Sequence, residues 1–198
     1  MIRAVVFDLG QVLASPPDIH SHPAGLLGVP TIEFSAAYWT GRRSYDEGGP
    51  DEAYWGPLLT TLGLPATAER VDLLATTDAR LWTGIRPEAE ALVADTAAVG
   101  RLTALLSNAP LVLGSAIEAA PWRRHFDRVY VSARIGATKP DRRIYDHATA
   151  DLGVEPGEIA FVDDRPENVA GALEAGWRAH LWVDDADTRA WLGSCGVL

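Results

Sequence analysis

The stretch Arg3-Ala4-Val5-Val6-Phe7-Asp8-Leu9-Gly10-Gln11-Val12-Leu13 decides the fold. Its first half is apolar and β-branched without alternation, the pattern of a strand buried on both faces of a sheet. The run ends on a carboxylate, Asp8, and Gly10 then releases the backbone. In open α/β sheets, ligands bind in the crevice beyond the carboxyl ends of the strands, so Asp8 stands where chemistry is expected. A lone Asp at a strand end reads equally well as a cap on the next element. Three further segments decide between the two.

Leu102-Thr103-Ala104-Leu105-Leu106-Ser107-Asn108 is a second apolar run, ending in a hydroxyl and an amide. Gly136-Ala137-Thr138-Lys139-Pro140-Asp141 is a loop that delivers a lysine just before a helix. Ile159-Ala160-Phe161-Val162-Asp163-Asp164-Arg165-Pro166-Glu167-Asn168 is a short strand ending in paired carboxylates. From Pro87 onward, helix and strand alternate. Helices are expected over 87–99, 109–119, 141–152 and 166–175, with Pro87 and Pro166 at first positions and Gly100, Gly153 and Gly176 just past the ends. Strands are expected over 102–107, 128–132, 159–163 and 178–183. This alternation implies right-handed crossovers and a parallel sheet covered by helices, a Rossmann-like α/β core. Residues 15–84 break it with helical periodicity at Ile32, Ala36 and Trp39, and again at Val71, Leu74, Leu81 and Trp82. The expected division is a core of residues 1–14 and 85–198 and a small all-helical cap of residues 15–84. Gly56-Pro57 is expected to kink or interrupt the helix that starts near Asp51.

The order Asp8, Ser107-Asn108, Lys139-Pro140, Asp163-Asp164 resembles the four-motif signature of the haloacid dehalogenase-like hydrolase superfamily, from Ile2 to about Val183. The helical insertion lies where that superfamily places its small cap. The Asp-Leu-Gly-x-Val form of the first motif is similar to a branch that includes sugar-phosphate phosphatases. The resemblance implies a Mg²⁺-dependent phosphatase acting on a small phosphorylated metabolite through an aspartyl-phosphate on Asp8. It implies that Asp8, the backbone carbonyl of Gly10 and Asp164 hold the cation, with Asp163 as direct or supporting ligand. Ser107 and the backbone amide of Asn108 would bind phosphate oxygens, and Lys139 would neutralise phosphate and nucleophile together. For the Asp163-Asp164 pair, capping of the helix beginning at Pro166 remains an alternative, compatible with metal binding.

One departure bears on catalysis. Most phosphatases of this superfamily carry a second Asp two residues after the nucleophile as general acid and base, and here that position is Gly10. Asp18, His20 and His22, where the chain enters the cap, are candidate substitutes, and each also reads as a plain linker residue. Arg42 and Arg43 resemble the cap turn of the branch and are candidate substrate contacts. Trp39, Trp55 and Trp82 are expected in the cap core, and His125, His147 and His180 carry no metal-ligand spacing. Two other functions remain open: a 2-haloacid dehalogenase, using the same Asp on carbon, and a phosphate-binding regulatory protein with little turnover. Gly10 and the Asp163-Asp164 pair weigh against the dehalogenase.

The chain has 198 residues, 47% of them hydrophobic, enough for one compact domain with a modest insertion. A formal net charge of −10 argues against nucleic-acid or anionic-membrane partners. No run approaches the ~18 apolar residues of a membrane span, and Asp8 interrupts the N-terminal apolar stretch too early for a signal peptide. With a single cysteine, Cys195, there is no internal disulfide. A cytoplasmic location is the expectation.

Overall fold

A computed structural model describes all 198 residues. Five strands, β1 (Ala4–Phe7), β2 (Leu102–Ser107), β3 (Arg128–Val131), β4 (Ile159–Asp163) and β5 (Arg178–Leu181), form one parallel sheet in the order β3-β2-β1-β4-β5. Between β1 and β2 lie α1 (Ser21–Leu27), α2 (Thr31–Tyr38), α3 (Arg42–Asp46), α4 (Asp51–Thr61), α5 (Ala68–Trp82) and α6 (Pro87–Ala98). The remaining helices are α7 (Leu111–Ala119), α8 (Ser132–Ile135), α9 (Arg142–Leu152), α10 (Pro166–Glu174) and α11 (Asp185–Ser194).

Alternation along the buried strands divides their side chains between two layers. Val5 and Phe7 join Leu105, Ala160 and Val162 on the face covered by α6, α7 and α11. Ala4 and Val6 join Ala104, Leu106 and Phe161 on the face covered by α9 and α10. Phe7 pairs in register with Leu105 and with Val162, so β1, β2 and β4 end nearly level. The chain runs outward from β1 to β3 and then crosses to β4 on the other side of β1. That reversal opens the crevice at the end of β1.

Helices α1 to α5 form the cap, with an apolar cluster of their own that includes Phe34, Tyr38, Tyr45, Trp55, Leu59 and Leu74. Helix α5 belongs to both bodies: Val71, Leu74 and Ala75 pack in the cap, while Ala79 and Trp82 pack in the core.

Three local expectations differ from the structure. Helix α4 runs through Pro57 without interruption. One intrahelical bond is lost there, but burial of Tyr54, Trp55, Leu58 and Leu59 on the same helix outweighs it. Strand β3 stops at Val131 because the Ser132 hydroxyl turns away to accept from Ala109 N at 2.8 Å and to donate to the Asp46 carbonyl. Strand β5 stops at Leu181, and the tail beyond it forms α11, capped by Asp184 accepting from Asp187 N at 2.7 Å.

Candidate active site

Asp8 N still donates to Val162 O at 2.9 Å, so the sheet ladder holds the backbone while the carboxylate stands beyond it. Lys139 Nζ donates to Asp8 Oδ1 and Asp163 Oδ2, each at 2.7 Å, and to Leu106 O at 2.8 Å, which uses all three ammonium protons. Lys139 is placed by Asn108, whose side chain clasps its backbone: Lys139 N donates to Asn108 Oδ1 at 2.8 Å and Asn108 Nδ2 donates to Lys139 O at 3.0 Å. Asp163 is fully buried, and its Oδ1 accepts from Arg165 N and Asn168 Nδ2, both at 2.9 Å. No side chain caps α10, so the helix-cap alternative for the aspartate pair is not what the structure contains.

Burial pushes the Asp8 carboxyl up to about 7 against the pull of Lys139, and Asp163 and Asp164 add to the rise. Asp164 is raised in the same way, by burial and then by Asp163. Burial works against the Lys139 ammonium, but Asp163 and Asp8 outweigh it and hold its pKa above the ordinary lysine value. Carboxylate oxygens of Asp8, Asp163 and Asp164 lie within 4.8 Å of one another. Fully ionised, three carboxylates and one ammonium leave an excess of two negative charges. An all-oxygen set with that excess fits a hard divalent cation. Both Asp163 oxygens are already bonded within the protein, so Asp8 and Asp164 are the carboxylates with oxygens to spare. The Gly10 carbonyl accepts from Val12 N at 2.7 Å and keeps a second lone pair.

A cavity of about 800 Å³ opens above these groups, between the sheet end and the cap. Ser107, Asn108, Lys139 and Trp82 line it from the core, and Trp39, Arg42, Arg43 and Asp46 from the cap. Arg42 is buried and engaged inside the cap. Its Nε donates to Asp46 Oδ1 at 2.9 Å, and its Nη1 donates to Tyr38 Oη at 2.9 Å and Asp78 Oδ2 at 3.1 Å. The Arg43 side chain is 74% exposed at the rim and pairs with Glu47 at 3.0 Å.

The expectation that Trp39 belongs to the cap core is corrected: it is 57% exposed and lines the cavity, set edge-on to Tyr38 and His20. Trp55 is buried in the cap, whereas Trp82 packs in the core beneath Gly10 and donates from Nε1 to Tyr38 Oη at 3.0 Å. None of Asp18, His20 and His22 lines the cavity. His20 Nδ1 meets Ser35 Oγ at 3.3 Å, and its Nε2 is buried without a partner. Burial lowers its pKa, opposed by Asp78. His22 Nε2 lies 3.1 Å from Arg80. His125 pairs with Glu90 and His180 with Asp187, away from the site.

Sequence reasoning missed Asn168, Asp46 and the clasp by the Asn108 side chain. Asn168 stands within the fourth motif, and its place five residues after Asp163, just beyond Pro166, was the available signal. Asp46 had no comparable signal, because it reaches the cavity only through the cap's fold.

The profile of haloacid dehalogenase-like hydrolases matches residues 2–176. A phosphoserine phosphatase of Thermus thermophilus is 41% identical over 100 residues, which cover 50% of this chain and 40% of that protein. The chain thus matches less than half the length of that relative. A sesquiterpene phosphatase of Aspergillus oryzae is 28% identical over 177 residues, 88% of this chain and 86% of that protein. Among solved structures, the L-2-haloacid dehalogenase of Xanthobacter autotrophicus superposes with a TM-score of 0.76 at 22% identity, over all of this chain and 85% of that one, a likeness of fold. No helix is long and apolar enough to cross a membrane. With the four motifs converging at the end of a parallel sheet and the profile spanning both core and cap, this chain belongs to the haloacid dehalogenase-like hydrolases.

Proposed function

We propose that the protein is a Mg²⁺-dependent phosphatase that hydrolyses a small phosphorylated metabolite, with a sugar phosphate as one candidate, through an aspartyl-phosphate on Asp8. The observation that carries this reading is Asp8 hydrogen-bonded to a buried lysine within an acidic cluster, at the floor of a cavity closed by the cap. The phosphatases of Thermus thermophilus and Aspergillus oryzae, among its relatives, support phosphoryl transfer as the chemistry.

In this mechanism, Asp8 attacks phosphorus as the bond to the leaving oxygen breaks, and water then hydrolyses the acyl phosphate. Lys139, fixed by Asn108 and Asp163, offsets charge on Asp8 and on the phosphoryl oxygens without reorienting during the reaction. Ser107 and the Asn108 amide bind the phosphoryl oxygens, and Arg43 at the rim meets the remainder of the substrate. Asp8, Asp164 and the Gly10 carbonyl would hold Mg²⁺, with Asp163 supporting them. The cation would supply further charge neutralisation at the phosphoryl group.

The test is a screen of phosphorylated metabolites with Mg²⁺, run beside Asp8→Asn. Phosphate release that needs Mg²⁺ and vanishes in the variant is the expected result. Chloride release from 2-chloropropionate in the presence of chelator would identify a dehalogenase instead. Saturable phosphate binding without turnover would identify a regulatory protein.

A further inference from the structure

With glycine two residues beyond Asp8, the first motif has no group to protonate the leaving oxygen. We propose that Asp46, supplied by the cap, is the general acid that does so; this rests on the phosphatase reading and extends it to a catalytic residue.

Asp46 lies at the end of α3 and lines the cavity above Asp8. Its own carbonyl accepts from the Ser132 hydroxyl, and that hydroxyl accepts from Ala109 N at 2.8 Å. Asp46 is therefore two hydrogen bonds from the residue that follows Asn108. Its neighbour Glu47 accepts from Thr138 Oγ1 at 3.1 Å, beside Lys139. The end of α3 is thus fastened to both loops that face the phosphoryl group, which fixes Asp46 relative to Asp8.

The carboxyl has the form a proton donor needs. Asp46 Oδ1 is held by Arg42 Nε at 2.9 Å, and Oδ2 takes no part in that bond. One guanidinium serves two buried carboxyls, Asp46 and Asp78, so one negative charge is uncompensated when both are ionised. Asp78 accepts two donors, Tyr38 Oη and Arg42 Nη1, whereas Asp46 accepts one. Burial raises the Asp46 pKa to about 6 against the pull of Arg42, with Asp78 and Glu47 adding to the rise, so a protonated fraction exists near neutral pH.

The step balances. As Asp8 forms its bond to phosphorus, the electron pair of the breaking P–O bond goes to the leaving oxygen, which takes the Asp46 proton. Asp46, now a carboxylate, recovers a proton from the water that hydrolyses the aspartyl-phosphate.

The experiment measures kcat/KM for 4-nitrophenyl phosphate and 4-nitrobenzyl phosphate, two esters of similar size whose leaving groups differ greatly in basicity. This quantity covers events up to phosphoryl transfer to Asp8 and omits hydrolysis of the common intermediate. Asp46→Asn should lower the benzyl ester by about 10²-fold or more and the aryl ester at least about tenfold less, since nitrophenolate leaves without a proton. Asp46→Glu should recover part of the benzyl loss. In the wild-type enzyme the benzyl ester should show the larger solvent deuterium isotope effect, a readout independent of any variant's folding. Equal losses on the two esters, no loss on either, or equal isotope effects would each overturn the assignment. Failure of the phosphatase reading looks different: the wild-type enzyme with Mg²⁺ would hydrolyse neither ester.

Discussion

Lys139 sits between two carboxylates, and that sharing sets what each substitution does. In Asp8→Asn the ammonium keeps Asp163 and the Leu106 carbonyl, so its burial stays compensated. Phosphate release should disappear while the melting temperature moves by only a few degrees; residual turnover above about a tenth of wild type would remove Asp8 as nucleophile. Gly10 supplies a second test at this scale. The residue with a left-handed backbone is Gln11, at φ 59°, and Gly10 itself is not in that region. A Cβ on Gly10 would meet Trp82 Cζ3 at 3.7 Å and Asp8 Oδ2 at 3.9 Å, both ordinary contacts. Gly10→Asp should therefore fold, and in an Asp46→Asn background it should restore about tenfold or more of the lost kcat/KM on the benzyl ester. No restoration in a folded double variant would mean that a carboxyl at position 10 cannot reach the leaving oxygen. At this scale the sequence displayed the residues placed by strand ends, because a buried strand announces where it stops. It did not display the link from Asp46 through Arg42 to Asp78: Arg42 and Asp46 are four residues apart on α3, but Asp78 lies on α5 and meets them only through the cap's packing.

At the scale of elements, punctuation and burial competed, and burial won where they disagreed. Pro166 opens α10, and Gly153 and Gly176 end α9 and α10 with φ of 64° and 88°, as read from residue type alone. Pro57 was misleading because four buried neighbours on α4 hold the helix through the missing bond. Ser132 was misleading because its hydroxyl serves tertiary contacts. Gly171 on α10 went unnoticed in the sequence, yet it sets the distance between α10 and the loop that carries Lys139. A Cβ there would lie 2.9 Å from Pro140 Cβ, 3.0 Å from Pro140 O and 3.1 Å from Tyr145 Cε2. Two of these neighbours are a proline ring and a backbone oxygen, which cannot yield by a rotamer change. Gly171→Ala should cost about 1–3 kcal/mol by overpacking and lower kcat, since the displaced Pro140 carries Lys139 with it. The control is Gly157→Ala, whose Cβ meets nothing within 4 Å. Equal melting temperatures and rates for the two variants would show that the loop relaxes freely.

For the molecule as a whole, the joints between cap and core include α5, which packs in both, the Ser132–Asp46 bond and the Thr138–Glu47 bond. The last two flank the acidic cluster, so cavity and cluster form one unit. Fully ionised, the cluster carries two excess negative charges, part of the formal −10 of the chain. In the folded protein burial, and after it the neighbouring aspartates, raise the Asp8 and Asp164 pKa values; in the unfolded chain the same groups are dispersed and solvated. A divalent cation that binds only the folded cluster must then stabilise the fold by mass action. At a hundredfold excess over its Kd the gain is about 2.7 kcal/mol, and in a chain of this size that corresponds to a rise in melting temperature of roughly 5–10 °C. Thermal melts with Mg²⁺ and with chelator measure it without any substrate, so the result is independent of the reaction proposed. Asp164→Asn should lose most of the Mg²⁺-induced rise, because its oxygens are not engaged elsewhere in the cluster. Asp95→Asn, at a surface pair with Arg189 remote from the cluster, should keep it. A wild-type melting temperature that does not respond to Mg²⁺, or a rise equal in all three proteins, would show that the cluster does not hold the cation.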